Sequence, residues 1–206
     1  MNKYFSLLVI IGLNLLYANS TYYLHKVSQF KLLIKQEKQI IMLGDSITER
    51  GLWSELTVRT DIVNRGISGD STDGLLKRLD VLNDNSKQIF IMIGINDILR
   101  NKSAEFVFNS YKKILTQLQS KNIPIIIQST LYIGGNAPKY YNKEVKKLNL
   151  LLQNYSNKKG IQYIDLNVKF APQGFLLEDY SLDGLHLNGN AYMSWVQIIQ
   201  KYFLVK

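Results

Sequence analysis

The feature that most constrains this chain is a set of short apolar runs that are continuous rather than alternating. Ile40-Ile41-Met42-Leu43, Ile89-Phe90-Ile91-Met92-Ile93 and Ile125-Ile126-Ile127 are the clearest. Asp61-Ile62-Val63-Asn64 is a short candidate, and Ile161 to Leu166 a weaker fifth. Runs of this length without a polar alternate suit strands buried on both faces, as in a parallel sheet. Stretches of helical period lie between them. Phe106, Tyr111, Ile114, Leu115 and Leu118 recur at helix spacing after Ser103. Val145, Leu148, Leu151, Leu152 and Tyr155 do so ahead of Gly160, a residue type that stops helices. Leu75, Leu76, Leu79 and Leu82 predict a shorter helix, and Tyr192, Trp195, Val196 and Ile199 a last one. Alternating strand and helix predict the α/β class: a single three-layer domain with a parallel sheet of about five strands flanked by helices.

Bulk composition agrees with one folded domain. The chain has 206 residues, 46% hydrophobic and 20% charged, ordinary values for a globular protein. No repeat, low-complexity tract or interdomain linker is visible. With no cysteine, thiolate chemistry and disulfides are excluded, and two histidines, His25 and His186, are too few for a multi-histidine zinc site. The formal charge of +9 comes from scattered lysines, which read as a solvated surface. No nucleic-acid motif accompanies them, so no nucleic-acid partner is expected.

Residues 1–19 form a separate unit, and the domain is expected to occupy 20–206. Lys3 precedes an apolar run from Tyr4 to Ala18, the pattern of a secretory signal, with Leu16-Tyr17-Ala18 as a tolerable cleavage site. An uncleaved membrane anchor is the alternative, and a buried core helix a third reading. Asn14, Asn19, Ser20 and Thr21 weaken the anchor, as do the lysines that follow. Export from the cytoplasm is the expected localisation, whether periplasmic, secreted or membrane-anchored.

In sheets of this class ligands sit beyond the carboxyl ends of the strands, so the residues after each strand matter most. Gly44-Asp45-Ser46-Ile47-Thr48 follows the first. Ser46 would open a helix there, with its hydroxyl at the sheet edge and its own N–H without an intrahelical partner. That serves a nucleophile and one oxyanion donor, or simply a helix cap. Asn64-Arg65-Gly66-Ile67-Ser68-Gly69-Asp70-Ser71-Thr72 follows the second strand. Its glycines permit backbone to approach a ligand, and the Gly69 N–H is a second candidate donor; a glycine turn into a helix capped by Asp70 or Ser71 is the alternative. Gly94-Ile95-Asn96-Asp97 follows the third, where Asn96 could donate from its side chain or make an Asx turn. Asp183-Gly184-Leu185-His186 lies near the end, and an aspartate three residues before a histidine can hold its tautomer. A capping or core histidine is the plainer reading. His25 has no such context and reads as surface.

Together these four segments, in this order, resemble the four sequence blocks of the SGNH (GDSL-like) hydrolases, with GDSI in place of GDSL. The likeness spans about residues 40 to 200. Trp53-Ser54-Glu55-Leu56, Asn64-Arg65-Gly66-Ile67-Ser68-Gly69-Asp70 and Arg78-Leu79-Asp80 are similar to the compact bacterial members related to platelet-activating-factor acetylhydrolase catalytic subunits. The resemblance implies the flavodoxin-like fold of that family. It implies Ser46 as nucleophile, Asp183 and His186 as its activating pair, and an oxyanion hole from the Ser46 N–H, the Gly69 N–H and the Asn96 side chain. Asp45, Asp70 and Asp97 are read as bracing their loops. No cofactor and no metal are implied. The expected substrate is a small acyl ester, with an acetyl-like group on a glycan or lipid, and residues 131–141 would shape one side of its site. A lysophospholipase or broad carboxylesterase for longer chains, an acyltransferase and a non-catalytic glycan-binding module are the rival readings. Activity is expected to rise with pH as His186 loses its proton. The residues do not specify an oligomeric state.

Overall fold

A computed structural model describes residues 21–33 and 39–204. The reading of residues 1–19 lies outside the described residues. Among the described residues the chain begins with helix α1 (Thr21–Leu32), followed by strand β1 (Ile40–Gly44), the short helices α2 (Ser46–Glu49) and α3 (Trp53–Thr57), and strand β2 (Ile62–Gly66). Helix α4 (Thr72–Leu76), strand β3 (Gln88–Met92) and helices α5 (Ile95–Leu99) and α6 (Ala104–Ser120) come next. Strand β4 (Ile125–Gln128), helix α7 (Lys139–Lys159), strand β5 (Gln162–Ile164), helix α8 (Asn167–Phe170) and helix α9 (Gly189–Ile199) complete the order.

The five strands form one parallel sheet in the order β2-β1-β3-β4-β5. Every residue of β1, β3 and β4 is buried. Unbroken apolar runs have this outcome because a central parallel strand meets helices on both faces and no position can tolerate water. The exposed start of the edge strand β5 accounts for the weakness of its sequence signal. Helix α6 packs on α4 and α7, and α9 packs on α3. Trp53 of α3 meets Trp195 and Tyr192 of α9 edge-on.

Two helices depart from the expected patterns. Phe106 is 40% exposed, and Val107 takes its place in the buried stripe of α6. Counting back from Tyr111 at helical spacing reaches 107, and Phe106 instead lies under the Lys102 ammonium, 4.0 Å from its ring centre. The leucines from 75 to 82 form α4 and a separate 3-10 turn (Leu79–Val81), not one helix. Arg78 breaks the run, with φ −121° and ψ 19°, and its side chain enters the interior. Elsewhere the end signals agree: Ser71, Ser103 and Asn188 accept amide bonds as helix caps, and Gly160 closes α7 in the left-handed region at φ 65°. The 131–141 segment is irregular only to Pro138, because Lys139 already begins α7.

Helix α1 is part of the packed domain. Tyr23 and Phe30 are buried, and the Tyr23 hydroxyl donates to the Gly74 carbonyl at 2.8 Å. His25 is exposed, as its lack of sequence context suggested. No described helix is long and apolar enough to cross a membrane.

Candidate functional site

Strand order places the site. β1 lies between β2 and β3, so the segments after all three strands emerge side by side at the carboxyl edge. The chain reverses its direction of winding between β1 and β3, the place where such sheets open a crevice. Asp45 caps α2 by accepting the Ile47 N–H at 3.0 Å, and Ser46 becomes the first helical residue. Sequence offered a cap or a functional serine at this turn. The structure gives the cap to Asp45 and leaves Ser46 at the sheet edge, 5% exposed.

His186 reaches this serine from 140 residues away, with Nε2 3.0 Å from Ser46 Oγ. Its Nδ1 lies 2.7 Å from Asp183 Oδ2. The other carboxylate oxygen accepts the N–H of Leu185 at 2.9 Å and of His186 at 2.7 Å. Burial works against the charge of Asp183, but the ring bond and the two amide bonds outweigh it and hold the carboxyl well below its usual range. An ionised carboxylate can only accept, so Nδ1 carries a proton, and in the neutral ring Nε2 presents a lone pair to the Ser46 hydroxyl.

The loop carrying this pair is braced by residues with no sequence signal. The Ser181 hydroxyl donates to the His186 carbonyl at 2.7 Å and accepts the Gly184 N–H at 2.9 Å. Gly134 N–H donates to the Gly184 carbonyl at 2.7 Å, which ties the 131–138 segment to the same loop. Asn142 holds that segment in turn, accepting from Ile133 N–H and donating to the Ile133 carbonyl, both at 2.9 Å.

The three expected hydrogen-bond donors fall in the same region. Neither the Ser46 nor the Gly69 N–H has an acceptor among the described residues. Gly69 has φ 72°, a left-handed conformation that glycine adopts without strain. Its turn is clamped on all sides: Arg100 Nη2 donates to the Gly69 carbonyl at 2.7 Å, and Asn96 Nδ2 donates to the Asp70 carbonyl at 3.0 Å. That bond uses one of the two amide hydrogens of Asn96 and leaves the other available. Gly66 serves a different end from the expected approach to a ligand. A Cβ there would lie 2.3 Å from the Glu49 amide nitrogen, so the missing side chain lets α2 sit against β2.

Beneath the site lie the three aspartates of the blocks, and each braces its loop. Asp97 accepts the Thr72 N–H at 2.8 Å and the Thr72 hydroxyl at 3.2 Å. Asp70 pairs with Arg78 Nε at 2.7 Å, both side chains having no exposed surface. Arg78 also donates to the carbonyls of Arg65 and Gly44, each at 2.9 Å. One guanidinium thus joins the ends of β1 and β2 to the Gly69 turn. Its sequence neighbourhood carried the subgroup likeness, but nothing in the spacing indicated this role. Burial pushes the Asp45 carboxyl up to about 7 and that of Asp97 to about 6. Among the described residues no cluster of three or more His, Cys, Asp or Glu side chains could hold a metal ion.

Fold and site together define a three-layer α/β protein of SGNH-hydrolase type. The chain belongs to the GDSL-like Lipase/Acylhydrolase family, which it matches over residues 42–193. Among solved structures it is similar to one from Streptococcus pneumonia described by reference to platelet activating factor, with TM-score 0.80, 24% identity and coverage of 88% of this chain and 92% of that one. A GDSL-like lipase from Bacteroides thetaiotaomicron superposes with TM-score 0.73 at 20% identity, covering 90% and 97%. Among curated proteins, the platelet-activating factor acetylhydrolase IB subunit alpha2 of Rattus norvegicus is 25% identical over 76% of this chain and 72% of that protein. The acetylxylan esterase of Geobacillus stearothermophilus is 26% identical over 65% and 78%. An N-acylneuraminate cytidylyltransferase of Streptococcus agalactiae is 25% identical over 79% of this chain. The match spans only 38% of that protein's own length.

Proposed function

We propose that this protein is a serine esterase that hydrolyses a carboxylic ester through an acyl-enzyme, with Ser46 as nucleophile. The observation that carries the reading is the continuous hydrogen-bonded series from Ser46 Oγ through His186 to Asp183. His186 Nε2 takes the hydroxyl proton as Ser46 Oγ attacks the ester carbonyl. The Ser46 N–H, the Gly69 N–H and the free hydrogen of Asn96 Nδ2 receive the oxyanion. As the tetrahedral intermediate collapses, the C–O bond to the alcohol breaks and His186 returns the proton to the leaving oxygen. Water then attacks the acyl-enzyme, giving its proton to His186, and as the bond from the acyl carbon to Ser46 Oγ breaks His186 passes that proton to Ser46, releasing the acid product. Asp183 stays ionised throughout, orienting the ring and stabilising its charged form.

The acyl group is short and acetyl-like, carried on a glycan or lipid. Two family relatives named for removing acetyl groups, from xylan and from platelet-activating factor, support this class. The +9 charge favours an anionic carrier. The apolar run from Tyr4 to Ala18 supports export, and the mass of the mature amino terminus tests it. For the activity, a fluorophosphonate should label the native protein covalently, with peptide mapping placing the adduct on Ser46. Turnover of aryl esters should fall as the chain lengthens from acetyl. Failure to label refutes the esterase, and equal turnover of acetyl and long-chain esters refutes the short-acyl reading.

A further inference from the structure

Glu49 has more polar partners than its place in the chain foretells. It ends α2, three residues after Ser46. Its Oε2 accepts the Ser68 N–H at 2.6 Å and the Ser68 hydroxyl at 2.5 Å. Its Oε1 accepts the Tyr22 hydroxyl and the Lys26 ammonium, the latter at 2.9 Å. The side chain is 12% exposed. Burial opposes its charge, but the bonds from Ser68, Tyr22 and Lys26 prevail and hold the carboxyl below its usual range.

Ser68 and Gly69 share a peptide unit, and the N–H of that unit is one of the two backbone donors proposed for the oxyanion. The other donor, the Ser46 N–H, lies on the helix that carries Glu49. The carboxylate therefore bridges the two segments that supply the backbone half of the hole. Arg100 and Asn96 hold the far side of the turn through the carbonyls of residues 69 and 70. Nor is this bridge confined to the catalytic loops. Tyr22 and Lys26 lie on α1, so this helix supplies half of the hydrogen bonds that hold the carboxylate.

We propose that Glu49 is a positioning residue that keeps the Gly69 N–H in register with the Ser46 N–H, and that α1 completes the active site by holding Glu49 in place. This rests on the esterase reading. Glu49 touches no reacting atom, so its loss should misdirect one donor instead of removing the hole. A donor displaced by about an ångström can lower a rate by up to about a hundredfold.

The test uses the full chain, with an aryl acetate as substrate and a trifluoromethyl ketone as a probe whose tetrahedral adduct needs the oxyanion donors. Glu49→Ala should lower kcat at least about tenfold, leave KM within about twofold, and weaken the ketone in parallel with kcat. Glu49→Gln retains an oxygen to accept from Ser68 and should recover most of the loss. Tyr22→Phe combined with Lys26→Met should lower kcat several-fold, whereas Lys31→Met, on the same helix but in an exposed pair with Asp80, should leave it unchanged. A kcat unaffected by Glu49→Ala, a loss confined to KM, or a glutamine variant no better than alanine would overturn the proposal. Should Glu49→Ala not fold, Ser68→Ala takes its place, since it loses the hydroxyl contact alone; a several-fold fall in kcat is expected, and no change overturns the idea. Fluorophosphonate labelling of the wild-type protein separates the two readings. Without labelling, the esterase fails and this inference with it; with labelling, an unaffected Glu49→Ala defeats this inference alone.

Discussion

Replacing Arg78 by methionine tests how the site is held together. Methionine fills much of the same volume but removes three hydrogen bonds, to Asp70 Oδ2, the Arg65 carbonyl and the Gly44 carbonyl. The Asp70 carboxylate is left without exposed surface and without its counter-ion. Removing one partner of such a buried pair costs about 3–5 kcal/mol. Each stranded carbonyl adds to this, and protonation of Asp70 subtracts from it. For a domain of this size each kcal/mol moves Tm by about 2–4 °C, so a fall of roughly 6–20 °C is expected. The sign of the pH dependence is determined as well. Burial already raises the Asp70 carboxyl above its unfolded value of about 3.9 with Arg78 in place, and loss of the guanidinium raises it further. The stability this group retains is then complete below that unfolded value and is lost as pH rises through the folded one. Urea denaturation at pH 4.5 and pH 8 should therefore show a larger deficit at pH 8. Adding Asp70→Asn removes the stranded charge and should recover part of the loss at pH 8. A Tm within about 3 °C of the native value, or a deficit equal at both pH values, would refute the reasoning.

Three further outcomes are expected. Asn96→Ala should lower kcat by on the order of a hundredfold, about 3 kcal/mol in the barrier, while the protein remains folded by circular dichroism; unchanged turnover would remove Asn96 from the proposed oxyanion hole. Asp45 binds its proton more tightly when folded, so the stability from this group is present at low pH and is lost as pH rises from about 4 through about 7. Asp45→Asn should flatten that part of a urea-midpoint profile, while the acid-side loss from Asp61 and Asp183, whose pKa values are lowered, remains. Gly66→Ala places a methyl group 2.3 Å from the Glu49 amide nitrogen, and α2 must move to admit it. Overpacking of this kind costs about 1–3 kcal/mol, and kcat should fall with Tm; a neutral substitution would show that the contact between α2 and β2 is not tight.

Much of the fold is legible along the chain because its signals are short-range. A run such as Ile89 to Ile93 declares a strand buried on both faces without reference to any partner, and Gly160 declares a helix end by its backbone freedom alone. The failures are equally specific. Phe106 reads as core because aromatic residues usually are, and only the phase of the helix turns Val107 inward in its place. The leucines of 75–82 share a helical period, but Arg78 interrupts it to reach a carboxylate and two carbonyls. No local propensity encodes that demand.

The candidate site divides along the same line. Sequence alone determined its ingredients: a serine after the first strand, a glycine turn after the second, an asparagine after the third, and a histidine three residues behind an aspartate near the end. Each was ambiguous by itself, since the same residue types cap helices and close turns. The strand order β2-β1-β3 resolved part of that ambiguity by bringing three of these segments to one edge, where His186 crosses 140 residues of chain to meet Ser46. The supports are a purely tertiary matter. Glu49 on Ser68, Arg78 on Gly44 and Gly134 on Gly184 are bonds to backbone or to a distant hydroxyl. An N–H or carbonyl looks the same at every position of a sequence, so it becomes a particular partner only when the fold has decided what stands beside it.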